Sequence, residues 1–263
     1  MGAMKLYFKY MLLILKSQLQ YRGSFLMLLV GQCLTPFMTF AGVYFMFDRF
    51  GQLEGWNFYE VALCFAVTQM AFSLSETFAR GFDGFASLVV SGDFDRLLVR
   101  PRGTVVQVLG SKFEFARLGR LALSLVLLVW ASGHIDVAWT AFRLLALVFM
   151  IISGTVIYTG IFIVAASISF WTVRGLEIVN IFTDGGREMT QYPLSIYGKW
   201  VKRFFTFVIP FGSVNYLPLL YILGREGADQ PLYALTPLVG FLFIVPCLLV
   251  WRIGVRHYRS TGS

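Results

Sequence analysis

The chain has 263 residues, 57% of them hydrophobic and 14% charged, with a formal net charge of +8. A soluble domain carries about a quarter charged residues, so a water-soluble globule is excluded. Stretches such as LALSLVLLVWA do not alternate as the strands of a transmembrane barrel must.

What remains is an all-α membrane protein, because apolar runs of about eighteen residues or more recur, each long enough to cross a hydrocarbon core roughly 30 Å thick. In chain order, residues 1–23 are expected to form an N-terminal interfacial amphipathic helix, and residues 24–263 a single six-span transmembrane domain. On a helical wheel Lys5, Lys9, Lys16 and Gln20 fall within about 60° of one another, a stripe suited to lipid headgroups. No cleavable signal peptide is expected before the first span. That span is about Ser24–Phe47 and the second about Phe58–Ala79. The third covers about Leu121–Ser132, begun a turn or two earlier, the fourth about Phe142–Trp171, and the last about Leu232–Trp251. In the polar run before the third span, Glu114 and Arg117 have the i, i+3 spacing of a helical ion pair.

The stretch between the fourth and last spans admits two readings. In one, residues 172–203 are a cytoplasmic loop and Phe204–Leu223 is the fifth span. In the other, residues 172–191 are a polar fifth span, and YPLSIYGKW with FFTFVIPFGSVNYLPLLYIL dips back into the outer leaflet. Charges at Arg174, Glu177, Asp184, Arg187 and Glu188 favour the loop. The proline-broken segments favour the re-entrant helices. Under the first reading only Arg49, Arg143 and Arg225 of the 22 Lys and Arg fall outside, and under the second the bias keeps its sign. Both readings put the two termini in the cytoplasm. The same bias accounts for the net charge, so no nucleic-acid partner is expected.

Cys33, Cys64 and Cys247 sit in apolar stretches without paired spacing and read as small core residues. No phosphate-binding GxxxxGK[ST], GxSxG or HExxH occurs, and the two histidines stand alone. No catalytic residue, metal site or cofactor is expected on this chain. Glu76, near the inner end of the second span, is the main candidate for an ion-coupling group, weighed against a carboxylate that merely snorkels or contacts a loop. Gln32, Thr35, Thr39, Thr68 and Gln69 are candidates for a substrate path, weighed against polar groups that only pack helices together.

The segment SGDFDRLLVRPRG, residues 91–103, combines charges with an apolar set that a solvated loop does not need. It reads either as a short helix docking in a partner's groove, ended by Pro101, or as a cytoplasmic loop whose apolar residues rest on the bilayer. This segment, extended as GDFDRLLVRPRGTVVQVLGS, resembles a stretch of the ABC-2 type transporter permeases. There Gly-Asp/Glu-hydrophobic-Asp precedes Leu-Leu-x-Arg-Pro. QYPLSIYGKWVKRFFTFVIPFGSVNYLPLLYILG and the ending GVRHYRSTGS are similar to further blocks of that family.

The resemblance implies a membrane-spanning subunit of a bacterial ABC exporter in the inner (cytoplasmic) membrane. Its partners would be ABC ATPase subunits, which hold ATP and Mg, a second permease, identical or related, and the lipid bilayer. It also implies a cytoplasmic coupling helix between spans 2 and 3, with Gly92, Asp93, Asp95, Arg96, Leu97, Leu98, Arg100 and Pro101 as ATPase contacts. The family's common Arg-Pro-Leu is Arg-Pro-Arg here, with Arg102. The family's external re-entrant helices favour the second reading of residues 172–223. An ATP-independent carrier or channel is the alternative, and a non-transporting scaffold the third.

Overall fold

The computed structural model describes residues 3–172, 176–225 and 230–258, with side chains from Lys5 onward and without those of residues 176–180. Arg174, the Glu177 side chain, Arg259 and the end of the tail block lie outside what is described. Helices dominate the described residues: α1 (Ala3–Leu19), α2 (Arg22–Phe50), α3 (Phe58–Ala79), α4 (Phe85–Val90), α5 (Asp93–Leu98), α6 (Thr104–Leu109), α7 (Leu118–His134), α8 (Ala141–Ile168), α9 (Leu176–Thr190), α10 (Lys199–Phe207), α11 (Leu217–Leu223), α12 (Pro231–Leu235) and α13 (Leu238–His257).

Five stretches are long and apolar enough to cross a membrane: Arg22–Phe50, Phe58–Ala79, Phe115–His134, Ala141–Ile168 and Pro231–His257. They include every uninterrupted apolar span expected from the sequence. The protein is a multi-pass membrane protein. Local chemistry sets the helix starts: Asn57 and Glu60 form a reciprocal capping box on α3, and the Thr140 hydroxyl accepts from the Arg143 backbone on α8.

α3 is the central helix, buried along most of its length, with α2, α7, α8 and α9 around it. Its two ends orient the rest. At the Glu60 end, His134 of α7 stacks on Tyr59 at 4.8 Å and Phe47 of α2 meets Phe58 at 5.6 Å. At the Glu76 end, Arg120 near the start of α7 pairs with Glu76, and Thr159 of α8 bonds Ser75. Gly119 lets α7 and α2 touch, since a Cβ there would collide with the Leu29 carbonyl.

The disputed segment resolves by which end each part meets. Along α9, Arg187 lies over the Phe72 ring at 4.9 Å, and the Thr190 carbonyl accepts from the Thr68 hydroxyl at 2.7 Å, further toward the Glu60 end. Ser195 then accepts a hydrogen bond from the Trp56 indole at 2.8 Å. Residues 176–196 therefore run the length of the bundle from one end of α3 to the other. α9 itself, at 1.5 Å per residue, covers about 22 Å of that path.

Phe204–Leu223 is not one crossing, contrary to the hydropathy reading. Lys199–Phe207 and Gly212–Leu223 meet at 86° across a short break, and the second begins with the π-helical turn Gly212–Tyr216. Ile209 and Phe211 reach into the bundle beside Tyr158 and Ile161, and the chain then returns. Arg225 pairs with Glu60 at 2.6 Å and lies over the Trp56 ring at 3.8 Å. Both flanks of the hairpin thus sit at the Glu60 end. Apolarity without length in one direction misled the hydropathy reading.

Two apolar cores fill the bundle. One, toward the Glu60 end, joins α2, α3, α7, α8 and α11 through residues such as Phe65, Leu128, Leu147 and Leu219. The other, toward the Glu76 end, joins α3, α8 and α13 to α4, α5 and α6.

Candidate functional site

The segment between α3 and α7 folds into three short helices at the Glu76 end. Gly92 precedes α5 with φ of +73°, a left-handed turn that a side chain would strain. α5 spans Asp93–Leu98 and stops ahead of Pro101, as the restriction on a residue before proline requires. Its one fully buried side chain is Phe94. That ring packs on Phe85 at 5.0 Å, Phe170 at 5.5 Å, Trp251 at 6.4 Å and Tyr258 at 5.0 Å, mostly edge to face. Phe85 belongs to α4, Phe170 follows α8 and Trp251 is in α13. The exposed helix is thereby bolted to the ends of two long helices.

Further bonds fix the turn after α5. Buried Gln107 of α6 donates to the carbonyls of Leu97 at 3.1 Å and Arg102 at 3.0 Å. The Trp251 indole donates to the Thr104 hydroxyl at 3.0 Å.

The other face of the segment is open. Arg96, Leu98, Val99, Arg100 and Pro101 are exposed, Val99 at 84%. Gly92, Asp93, Asp95 and Leu97 are half-buried. Asp93 accepts from Ser91 at 2.9 Å and pairs with Arg96 at 3.3 Å. The expected apolar residues of the segment divide between two faces. Leu97 turns inward against the core, so the apolar part of the outer face is Leu98 and Val99 between Arg96 and Arg100. Phe94 is the residue the sequence reading missed as an anchor.

At the same end of the bundle a charge cluster crosses α3, α7 and α9. Glu76 is buried and accepts three guanidiniums: Arg120 at 2.6 Å, Arg80 at 3.1 Å and Arg117 at 3.4 Å. Glu114 pairs with Arg117 at 3.0 Å, as its spacing predicts, and with Lys112 at 2.9 Å. Burial pushes the Glu114 carboxyl up, but the Lys112, Arg80 and Arg117 charges outweigh it and hold it below the usual carboxylate range. Arg187 pairs outward with Glu188 at 2.6 Å. Arg120 and Arg187 both lie over the Phe72 ring, at 5.5 and 4.9 Å. Arg80, Arg117, Arg120 and Arg187, with Glu76, Asp83 and Asp184, line a cavity of about 270 Å³. Glu76 is therefore neither a snorkelling carboxylate nor a lone one.

The five expected path residues do not come together. Gln32 accepts from Arg117 at 2.9 Å and joins the charge cluster. Thr35 is exposed on α2, and Thr39 donates to the Thr35 carbonyl within that helix. Thr68 and Gln69 are buried inside the chain. Thr68 donates to the Thr190 carbonyl, which also accepts from Asn215 at 2.8 Å, while Asn215 donates to the Thr68 hydroxyl at 2.9 Å. The end of α9 leaves carbonyls unpaired, and these side chains satisfy one of them. Thr68 packs α3 against the end of α9 and the residues that follow it. Among the described residues no group of His, Cys, Asp and Glu is placed to hold a metal ion.

Residues 33–262 match a protein family described as ABC-2 family transporter protein. The chain belongs to that family. No curated protein and no solved structure matches it. The match spans α3 through α13 and so contains both the 91–103 surface and the charge cluster. The family is one of membrane subunits with a permease role in ABC transporters, which partner an ABC ATPase and another permease.

Proposed function

We propose that this ABC-2 permease is the membrane half of an ATP-driven exporter, and that the outer face of residues 91–103 is where a separate ATPase subunit pushes. One observation carries the reading. α5 and the turn after it present Arg96, Leu98, Val99 and Arg100 outward, while Phe94 ties the same helix to the ends of α8 and α13. A contact of apolar centre and charged rim suits a protein partner, and the aromatic tie supplies a route for movement into the long helices. The ATP and Mg would be held by that partner, and a second permease, identical or related, would complete the channel. The exposed lysine side of α1 would lie in the lipid interface, with both termini cytoplasmic in a bacterial inner membrane. α1 anchors there through the Tyr7 hydroxyl, which donates to the Phe78 carbonyl at 2.9 Å, and through Gln18, which donates to Phe113 at 2.7 Å. Residues 24–263 would then act as one transmembrane domain, exporting its substrate.

An ion-coupled carrier built on Glu76 gains nothing from the structure, since that carboxylate is engaged by three arginines. A photo-crosslinking residue at Val99 tests the proposal. It should capture a Walker-motif ATPase in cells. Capture of lipid alone, with no ATPase adduct, would return the segment to an ordinary membrane-resting loop.

A further inference from the structure

The charge-lined cavity at the Glu76 end holds guanidinium donors that its carboxylates do not meet. Four guanidiniums line it with Glu76, Asp83 and Asp184, and Glu114 and Glu188 pair with Arg117 and Arg187 from outside the lining. Arg120 is only 4% exposed, and its Nε has no hydrogen-bond partner among the described residues, nor has that of Arg187. A buried guanidinium N–H left unmet is costly, and the oxygens of an anion are strong acceptors for both Nε groups. Arg117 also forms part of the wall of a second groove, of about 460 Å³, between α1, α2 and the start of α7. Tyr21, Phe25 and Leu28 give that groove apolar sides, and Gln32, which bonds Arg117, lies in its wall with Glu114.

We infer that the two spaces together bind an anionic amphiphile: its phosphate or carboxylate in the arginine cavity at Arg120 and Arg187, its chain in the groove beside α2. Arg117 stands at the junction of head and tail. The proposal rests on the membrane-protein assignment and not on the ATPase contact, so its failure and that of the coupling reading are separable.

The test uses the full chain in a mild detergent, with thermal unfolding followed during titration of phosphatidylglycerol, phosphatidylcholine or inorganic phosphate. Phosphatidylglycerol should stabilise at concentrations about tenfold below those of phosphatidylcholine, the worth of one charge-assisted hydrogen bond. Inorganic phosphate alone should give a small part of the shift and compete with phosphatidylglycerol. Arg120→Gln should erase the lipid preference. Arg187→Gln should do the same, and because it leaves the Glu76 pairs intact it serves even where Arg120→Gln fails to fold. Equal stabilisation by both lipids, a preference kept in both variants, or a full shift with phosphate alone would each overturn the inference.

Discussion

Phe94 and Trp251 are brought into one aromatic cluster, their rings 6.4 Å apart at 81°, with Phe85 between them at 5.0 Å from the first and 4.8 Å from the second. An exposed six-residue helix cannot hold itself by backbone bonds alone. Its position depends on this cluster. Phe94→Ala should remove about 3 kcal/mol of packing or more, and should lower transport further than it lowers ATPase association. Measuring both on one preparation checks this; equal losses would show that the ring positions the docking face without carrying movement from it.

Glu76 offers a sharper energetic test. Glu76→Gln leaves three arginines without their shared carboxylate, and loss of one partner from a buried ion pair costs about 3–5 kcal/mol. Pairing it with Arg120→Gln should restore part of the loss, because the most buried cation then goes too. A denaturation series on the two variants decides it. An additive double mutant would mean that Arg120 and Glu76 are not energetically coupled.

The end of α9 depends on Asn215. Asn215→Leu should cost about 1–3 kcal/mol, since the Thr190 carbonyl and Thr68 hydroxyl lose a buried partner. Thr68→Val alone should cost less than the pair combined. Thermal melts of the three proteins would reveal an unaffected Asn215→Leu if the interior there holds water instead.

The re-entrant hairpin predicts sidedness. Lys199 is exposed at the Glu60 end of the bundle, opposite α1 and residues 91–103. A cysteine at 199 in a background without Cys33, Cys64 and Cys247 should react with an impermeant maleimide on the face opposite the N-terminus. Reaction on the same face as the N-terminus would restore the cytoplasmic loop of the hydropathy reading.

Much of this was legible in the sequence because it is local. Uninterrupted apolar length marked the five long helices, proline placed the end of α5, and spacing placed the Glu114–Arg117 pair. What stayed hidden is long-range. Arg120 meets Glu76 across 44 positions, and Thr68 meets the Thr190 carbonyl across 122. No local window joins such partners. Hydropathy treated Asp184 and Arg187 as costs because it prices each charge as if it faced lipid, whereas here they line a polar cavity beside α3 and α7. It treated Phe204–Leu223 as a span because it counts apolar residues and not bends. The Phe94 anchor had a weak local signal, a single aromatic just after the Gly92 turn, outweighed by the charges around it.

Gentle-detergent purification of the chain from its host membrane, followed by mass spectrometry, tests the central claim most directly. A stoichiometric Walker-motif ATPase should come with the wild-type protein and be lost from an Arg96→Glu, Arg100→Glu variant that still inserts and folds. An ATPase that stays bound to the doubly reversed variant, or a wild-type chain that comes alone under conditions preserving other membrane complexes, would contradict it.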